Sequence, residues 1–202
     1  MEKRNSVLIV DDETECIMAL TNILSSEYTL YAAKDGLKAL EVAIEQLPDV
    51  IVLDVLMPGM SGDAVLSLLR NTEETRDIPV IFVTGLVKEE FEEKSQVIGA
   101  EDYISKPFTP AIVKLRVRNQ MKIVNRTRAL DEIILGVLTE VQRLETSFDS
   151  AKASEIAHVL NVIKGITHIV ESHDMTEKTK GNLQKIEAAS RNLVSLIGQT
   201  AK

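Results

Sequence analysis

Five short β-rich runs, spaced through the first half of the chain, constrain its fold more than any other feature. They are "SVLIV" (6–10), "YTLYAA" (28–33), "DVIVLD" (49–54), "PVIFVT" (79–84) and "DYIS" (102–105). The central ones are apolar nearly throughout, as strands buried on both faces must be. Between them the apolar residues step by three or four, as in Ala39, Val42, Ala43 and Leu47. Strand and helix alternating at this interval predict a doubly wound, five-stranded parallel α/β sheet covered on both faces. In such sheets the ligand site lies at the carboxyl ends of the strands.

Those ends carry chemistry. Asp11 and Asp12 follow the first run, Asp54 and Thr84 close the third and fourth, and Lys106 follows the fifth. Carboxylates crowded at one sheet edge repel, so a cation is expected to offset them. Ligands that are all oxygen select a hard ion, here Mg²⁺ held partly by water. An aspartate that can attack, a cation and a lysine that neutralise oxygens, and a hydroxyl that donates are the parts needed to accept a phosphoryl group. Any one aspartate could simply end a strand in solvent; five matched residues at successive strand ends could not all do so.

"VLIVDDE", "DVLMPGMSG", "FVTG" and "GAEDYISKPF" stand in order at spacings that resemble the signature segments of response-regulator receiver domains. The likeness covers residues 4–122 and implies the flavodoxin-like fold with Asp54 as phosphoacceptor. It implies further that Asp12 binds Mg²⁺ directly, Asp11 mainly through water, and the Leu56 carbonyl completes the protein's share of the shell. Thr84 and Lys106 would hold phosphoryl oxygens, Tyr103 would be the aromatic that moves inward on phosphorylation, and the Lys106–Pro107 bond would be cis. A histidine kinase or phosphotransfer protein would supply the phosphate. Gly85 stands where many relatives have alanine. Leu56 and Leu86, two residues after Asp54 and Thr84, sit where a hydrolytic water would enter, with local packing as the plainer role.

Beyond Pro110 the pattern is helical to the end. Leu130, Ile134, Val137, Val141, Leu144 and Phe148 form a heptad seam; Ile156, Val159, Ile163, Ile166 and Val170 a second; and Leu183, Ile186, Leu193 and Ile197 a third, with Ser190 in its middle. Asp174 and Glu177 have capping-box spacing for the last helix. The predicted domains are a receiver (1–122), a coiled-coil linker helix (123–150) and an all-α hairpin (151–202) that forms a homodimer, since a hairpin by itself cannot cover its stripes.

Residues 152–198 also resemble, more weakly, the dimerisation and phosphotransfer hairpin of histidine kinases. The reactive histidine then falls on Ser154 and the customary proline on Val159, which points to a degenerate hairpin. A second phosphotransfer format would place its histidine at Asn161, three and four residues before Lys164 and Gly165. His158 is the alternative acceptor, which would make the chain a phosphotransferase or a hybrid-kinase fragment; the seam argues instead that it faces the bundle or stands at its edge. His168 and His173 lack the flanking box. Nothing after Ile197 supplies a kinase ATP-binding domain, so receiver chemistry alone is expected.

Charge narrows the partners. Residues 125–202 hold 10 of the chain's 23 Lys and Arg and 10 of its 31 Asp and Glu, so the net −8 belongs to the first part. With no basic excess and only Phe148 to stack on, the helical part is not expected to bind nucleic acid. No apolar run approaches the roughly 20 residues of a membrane span. The single Cys16 cannot form an internal disulfide and suits a buried thiol in a cytoplasmic protein.

Overall fold

A computed structural model describes residues 4–85, 100–146, 158–165, 167 and 177–200. Two compact units divide it, Met1–Val124 and Asn125–Lys202.

In the first unit the elements follow in the order β1 (Ser6–Val10), α1 (Thr14–Leu24), β2 (Thr29–Ala33), α2 (Gly36–Gln46), β3 (Val50–Asp54), α3 (Gly62–Asn71), β4 (Val80–Thr84) and β5 (Asp102–Ser105). The helix α4 (Pro110–Thr146) comes next. The strands form one parallel sheet, as the alternation of runs predicts, and their order is β2-β1-β3-β4-β5. Their bounds shift by a residue at three starts. Tyr28 donates its N–H to the Leu24 carbonyl and so belongs to the turn after α1, and Pro79, lacking an N–H, contributes only a carbonyl to Ile51.

Alternate strand residues feed two cores. Leu8, Val10, Ile51, Leu53, Val80 and Phe82 pack with Ala39, Val42 and Ala43 of α2 and Val65, Leu66 and Leu69 of α3. Val7, Ile9, Val52, Ile81 and Ile104 pack on the other side with Leu20 and Leu24 of α1 and Val113, Val117 and Met121 of α4. Burial on both faces fixes strand register, because a one-residue slip would exchange the two sets. Polar staples hold the periphery. Arg118 of α4 donates to both carboxylate oxygens of Glu27 at 2.8 and 2.9 Å, and Arg70 does the same to Glu101 at 2.7 and 2.9 Å. Glu101 also accepts the Val80 N–H at 2.7 Å.

In the second unit, the end of α4, the helical residues 158–165 and α5 (Glu177–Thr200) share one small core. Ile134, Ile163 and Ile186 are at most 3% exposed there, with Leu130, Val137, Val159 and Leu183 packed around them. Described residues of each predicted seam thus meet in this core. The late part of α4 supplies part of the apolar cover for residues 158–165 and α5. His158 is exposed, at the edge of the bundle rather than within it, because Val159 and Ile163 take the inward positions of that stretch. Ser154, Leu86, His168, His173 and the seam residues Phe148, Ile156, Ile166 and Val170 lie outside the described residues. Thr179, fully buried, donates its hydroxyl to Asp131 at 2.7 Å.

Candidate active site

Parallel register brings the carboxyl ends of three central strands level. Val10 pairs with Leu53, Asp54 with Val83, and Thr84 with Ser105. The chain leaving β1 turns over the sheet edge, with the Asp11 N–H still bonded to the Ala33 carbonyl at 3.2 Å. Asp11 and Asp54 are 1% and 5% exposed, and Asp12 is half-buried. Each of the three offers a carboxylate oxygen within 4.8 Å of the others.

Lys106 meets them from across the site. Its Nζ donates to Asp11 Oδ2 at 2.9 Å and to Asp54 Oδ2 at 3.1 Å, with a Glu13 oxygen at 3.6 Å. Its own backbone N–H donates to the Thr84 carbonyl at 2.7 Å, and the Lys106–Pro107 bond is cis, as expected. Burial works against the Lys106 charge, but the bonds to Asp11 and Asp54 outweigh it and raise the ammonium above its ordinary range. Burial pushes the Asp54 carboxyl up, against the pull of Lys106. Desolvation thus leaves Asp54 short of compensating positive charge, which favours a second cation.

The donor set suits a hard cation. All three groups are carboxylates, two of them buried, and no soft ligand stands among them. Asp11 has both oxygens engaged, Oδ1 by the Glu13 N–H at 2.9 Å and Oδ2 by Lys106. Asp54 is engaged in the same pattern but by longer bonds, Oδ1 by the Leu56 N–H at 3.3 Å and Oδ2 by Lys106 at 3.1 Å. Cys16 packs beneath the cluster as a thiol, its pKa pushed up to about 12 by burial first and by its bond to Asp11 second.

The other sequence-derived residues surround this centre. Thr84 is fully buried at the end of β4. Leu56 is 61% exposed, and its N–H donates to Asp54 Oδ1 at 3.3 Å, orienting the carboxylate. Tyr103 is half-buried and packs with Ala100 against the α2–α3 core. Sequence reasoning missed Gly62. A Cβ there would run into the Asp54 carbonyl oxygen and come within 3.0 Å of Val55 Cα, and its N–H donates to the Val55 carbonyl at 3.0 Å. The start of α3 is thereby clamped against the strand that presents Asp54. The signal lay in the quoted "DVLMPGMSG", where a second glycine eight residues after Asp54 had no turn to serve.

A family model described as the response regulator receiver domain matches residues 7–118. The chain is 32% identical over 156 residues to a Vibrio cholerae protein named "Probable cyclic di-GMP phosphodiesterase", covering 74% of this chain and 35% of that protein. It is 38% identical over 114 residues to the response regulator PleD of Caulobacter vibrioides, covering 56% and 25%. The chain thus spans about a third or less of the length of these curated relatives. Among solved structures, the receiver domain of a Syntrophus aciditrophicus signal transduction histidine kinase is 32% identical, with a TM-score of 0.56, covering 61% of this chain and 94% of that one. The Vibrio cholerae chemotaxis response regulator CheY4 is 27% identical, with a TM-score of 0.55, covering 58% and 99%.

Proposed function

The chain belongs to the response-regulator receiver domain family, and we propose that Asp54 is the residue through which it takes part in phosphoryl-accepting signalling. The observation that carries this is the buried Asp54 carboxylate joined to Asp11 through one lysine ammonium, at 3.1 and 2.9 Å. An Asp54 carboxylate oxygen attacks the phosphorus of a phosphohistidine on a cognate kinase or phosphotransfer protein. A P–O bond forms as the P–N bond breaks, and the leaving imidazole nitrogen takes up a proton. Lys106 and the Thr84 hydroxyl hold oxygens of the transferred group. Asp12, Asp54 and the Leu56 carbonyl would hold Mg²⁺, with Asp11 acting through water, and the ion would neutralise charge on those oxygens. Tyr103, which packs against the α2–α3 core, would be the side chain that reports the change.

The output on this reading is the helical unit, whose packing or partner binding responds in the cytoplasm without contacting nucleic acid or membrane. We divide the chain into a receiver (1–122), a linker helix (123–150) and a helical hairpin (151–202). A homodimer would form on apolar residues that the intrachain core leaves outside, Ile133, Leu135 and Val162. Sedimentation at micromolar concentration then gives roughly twice the 22.4 kDa chain mass, and a monomer refutes that part. The test of the acceptor is incubation with acetyl phosphate, with Mg²⁺ or with chelator, followed by mapping of the labelled residue. Label that survives Asp54→Asn overturns the assignment.

A second reading, phosphotransfer through His158, is favoured by that side chain's exposure on a helix. It predicts a label lost in acid and stable in base, and His158→Gln removes it. Absence of such a label in protein phosphorylated at Asp54 rejects it.

A further inference from the structure

Helix α2 opens on Gly36, and nothing in the backbone there asks for glycine. Gly59 is the glycine at positive φ among the described residues, so position 36 has a conformation open to any residue. What it lacks is room. A Cβ there would stand 2.7 Å from Met60 Sδ, 2.9 Å from Met60 Cβ and 2.7 Å from Val65 Cγ2. Val65 belongs to the core beneath. Met60 belongs to the loop that follows Asp54, and that loop carries the Leu56 carbonyl.

The loop has few other holds. Leu56, Pro58 and Gly59 are exposed, while Met57 is buried and Met60 half-buried. Its ends are pinned, the Val55 N–H to the Val83 carbonyl at 3.2 Å and the Gly62 N–H to the Val55 carbonyl at 3.0 Å. Between them the chain turns tightly, with the Met60 N–H on the Pro58 carbonyl at 3.0 Å and Gly59 at φ 79. The opposite wall is fixed too. Asp35 caps α2 by accepting the Lys38 N–H at 2.8 Å, and Ala39 and Ala43 seat the helix in the core. A methionine tip can swing away from an added methyl group, but Met60 Cβ, one bond from the backbone, cannot. A side chain at 36 would therefore move the backbone at 60, and with both ends pinned the shift falls on residues 56–60.

On the reading that Asp12, Asp54 and the Leu56 carbonyl hold Mg²⁺, we propose that Gly36 is a positioning residue for the cation. Its empty side-chain position seats Met60 and so keeps the loop where the Leu56 carbonyl can serve as a ligand. Asp54 is paired with Val83 in the sheet and keeps its place; the carbonyl, out on the loop, does not. Mg²⁺ demands near-ideal octahedral geometry, so a small displacement of one ligand is felt in affinity.

The test is a double-mutant cycle in the full chain, read by calorimetric titration with Mg²⁺ and, separately, by urea midpoints. Gly36→Ala should weaken Mg²⁺ binding about tenfold, as loss of an indirect support does. In a Met60→Gly background, which removes both methionine contacts, the same substitution should change affinity by less than about twofold. In a Val65→Ala background it should still cost about tenfold, although its cost in urea midpoint shrinks, because that background relieves the core contact and not the loop. Should Gly36→Ala alone fail to fold, the cycle is run with Val65→Ala present throughout. Equal weakening with and without Met60→Gly, loss of the effect on Val65→Ala, or unchanged affinity in folded Gly36→Ala protein overturns the proposal alone. An unsubstituted chain that binds no Mg²⁺ overturns the cation reading, and the proposal falls with it.

Discussion

Asp11 and Asp54 lie within reach of one ammonium, yet they face different demands. Each gives one oxygen to Lys106 and the other to a backbone N–H two residues on, but both Asp11 bonds are 2.9 Å and those of Asp54 are 3.1 and 3.3 Å. Asp11→Ala should therefore weaken Mg²⁺ binding by the roughly 10–100-fold typical of an outer-shell partner, and Asp12→Ala by more; calorimetric titration of the metal reads the difference. Equal losses would show that Asp11 is a direct ligand. Gly62→Ala should cost about 1–3 kcal/mol through overpacking against Asp54 and Val55 and should slow phosphorylation as well, with denaturant midpoints and labelling rates as the measures. The sequence displayed the acid cluster because each member ends a strand or follows one. It did not display Gly62, since a close approach of backbone to backbone leaves no pattern in composition or period. A pH effect belongs to Glu27. Its bond to Arg118 holds the carboxyl below its usual value of 4.5, so that stabilisation is present above 4.5 and is lost as pH falls through the lower folded value. Arg118→Gln should accordingly lower the urea midpoint at neutral pH more than at pH about 3.

Among the elements, the strands were legible to within a residue because double burial demands apolar runs, and such runs have few other uses. The ends of α2 were less so. A glycine or asparagine would have announced the left-handed cap, and Leu47 followed by proline announces only that the helix stops. Leu47→Gly should stabilise the receiver by about 1 kcal/mol, by relieving the left-handed leucine. Asp35→Ala, which removes the acceptor for the Lys38 N–H, should cost about 1 kcal/mol. Opposite signs from two ends of one helix, read in a single set of thermal or urea unfolding curves, would separate cap geometry from general packing.

At the scale of the whole molecule, periodicity announced that three helical faces are buried and could not say what buries them. A heptad seam fits a partner chain or a neighbouring helix equally well, and here Ile134, Ile163 and Ile186, one from each seam, meet within one chain. Each unit has core residues of its own. Ile134→Ala should remove about 2–5 kcal/mol from the helical unit while Asp54 labelling proceeds at the wild-type rate, and a parallel loss of labelling would show that the receiver depends on the helical core. The central claim, that a buried strand-end carboxylate receives a phosphoryl group with help from a cation and Lys106, has its most direct test in acetyl phosphate labelling followed by peptide mapping. The account predicts label on Asp54 alone, present with Mg²⁺ and absent with chelator. Label on another residue, or equal labelling of Asp54 in chelator, would contradict it.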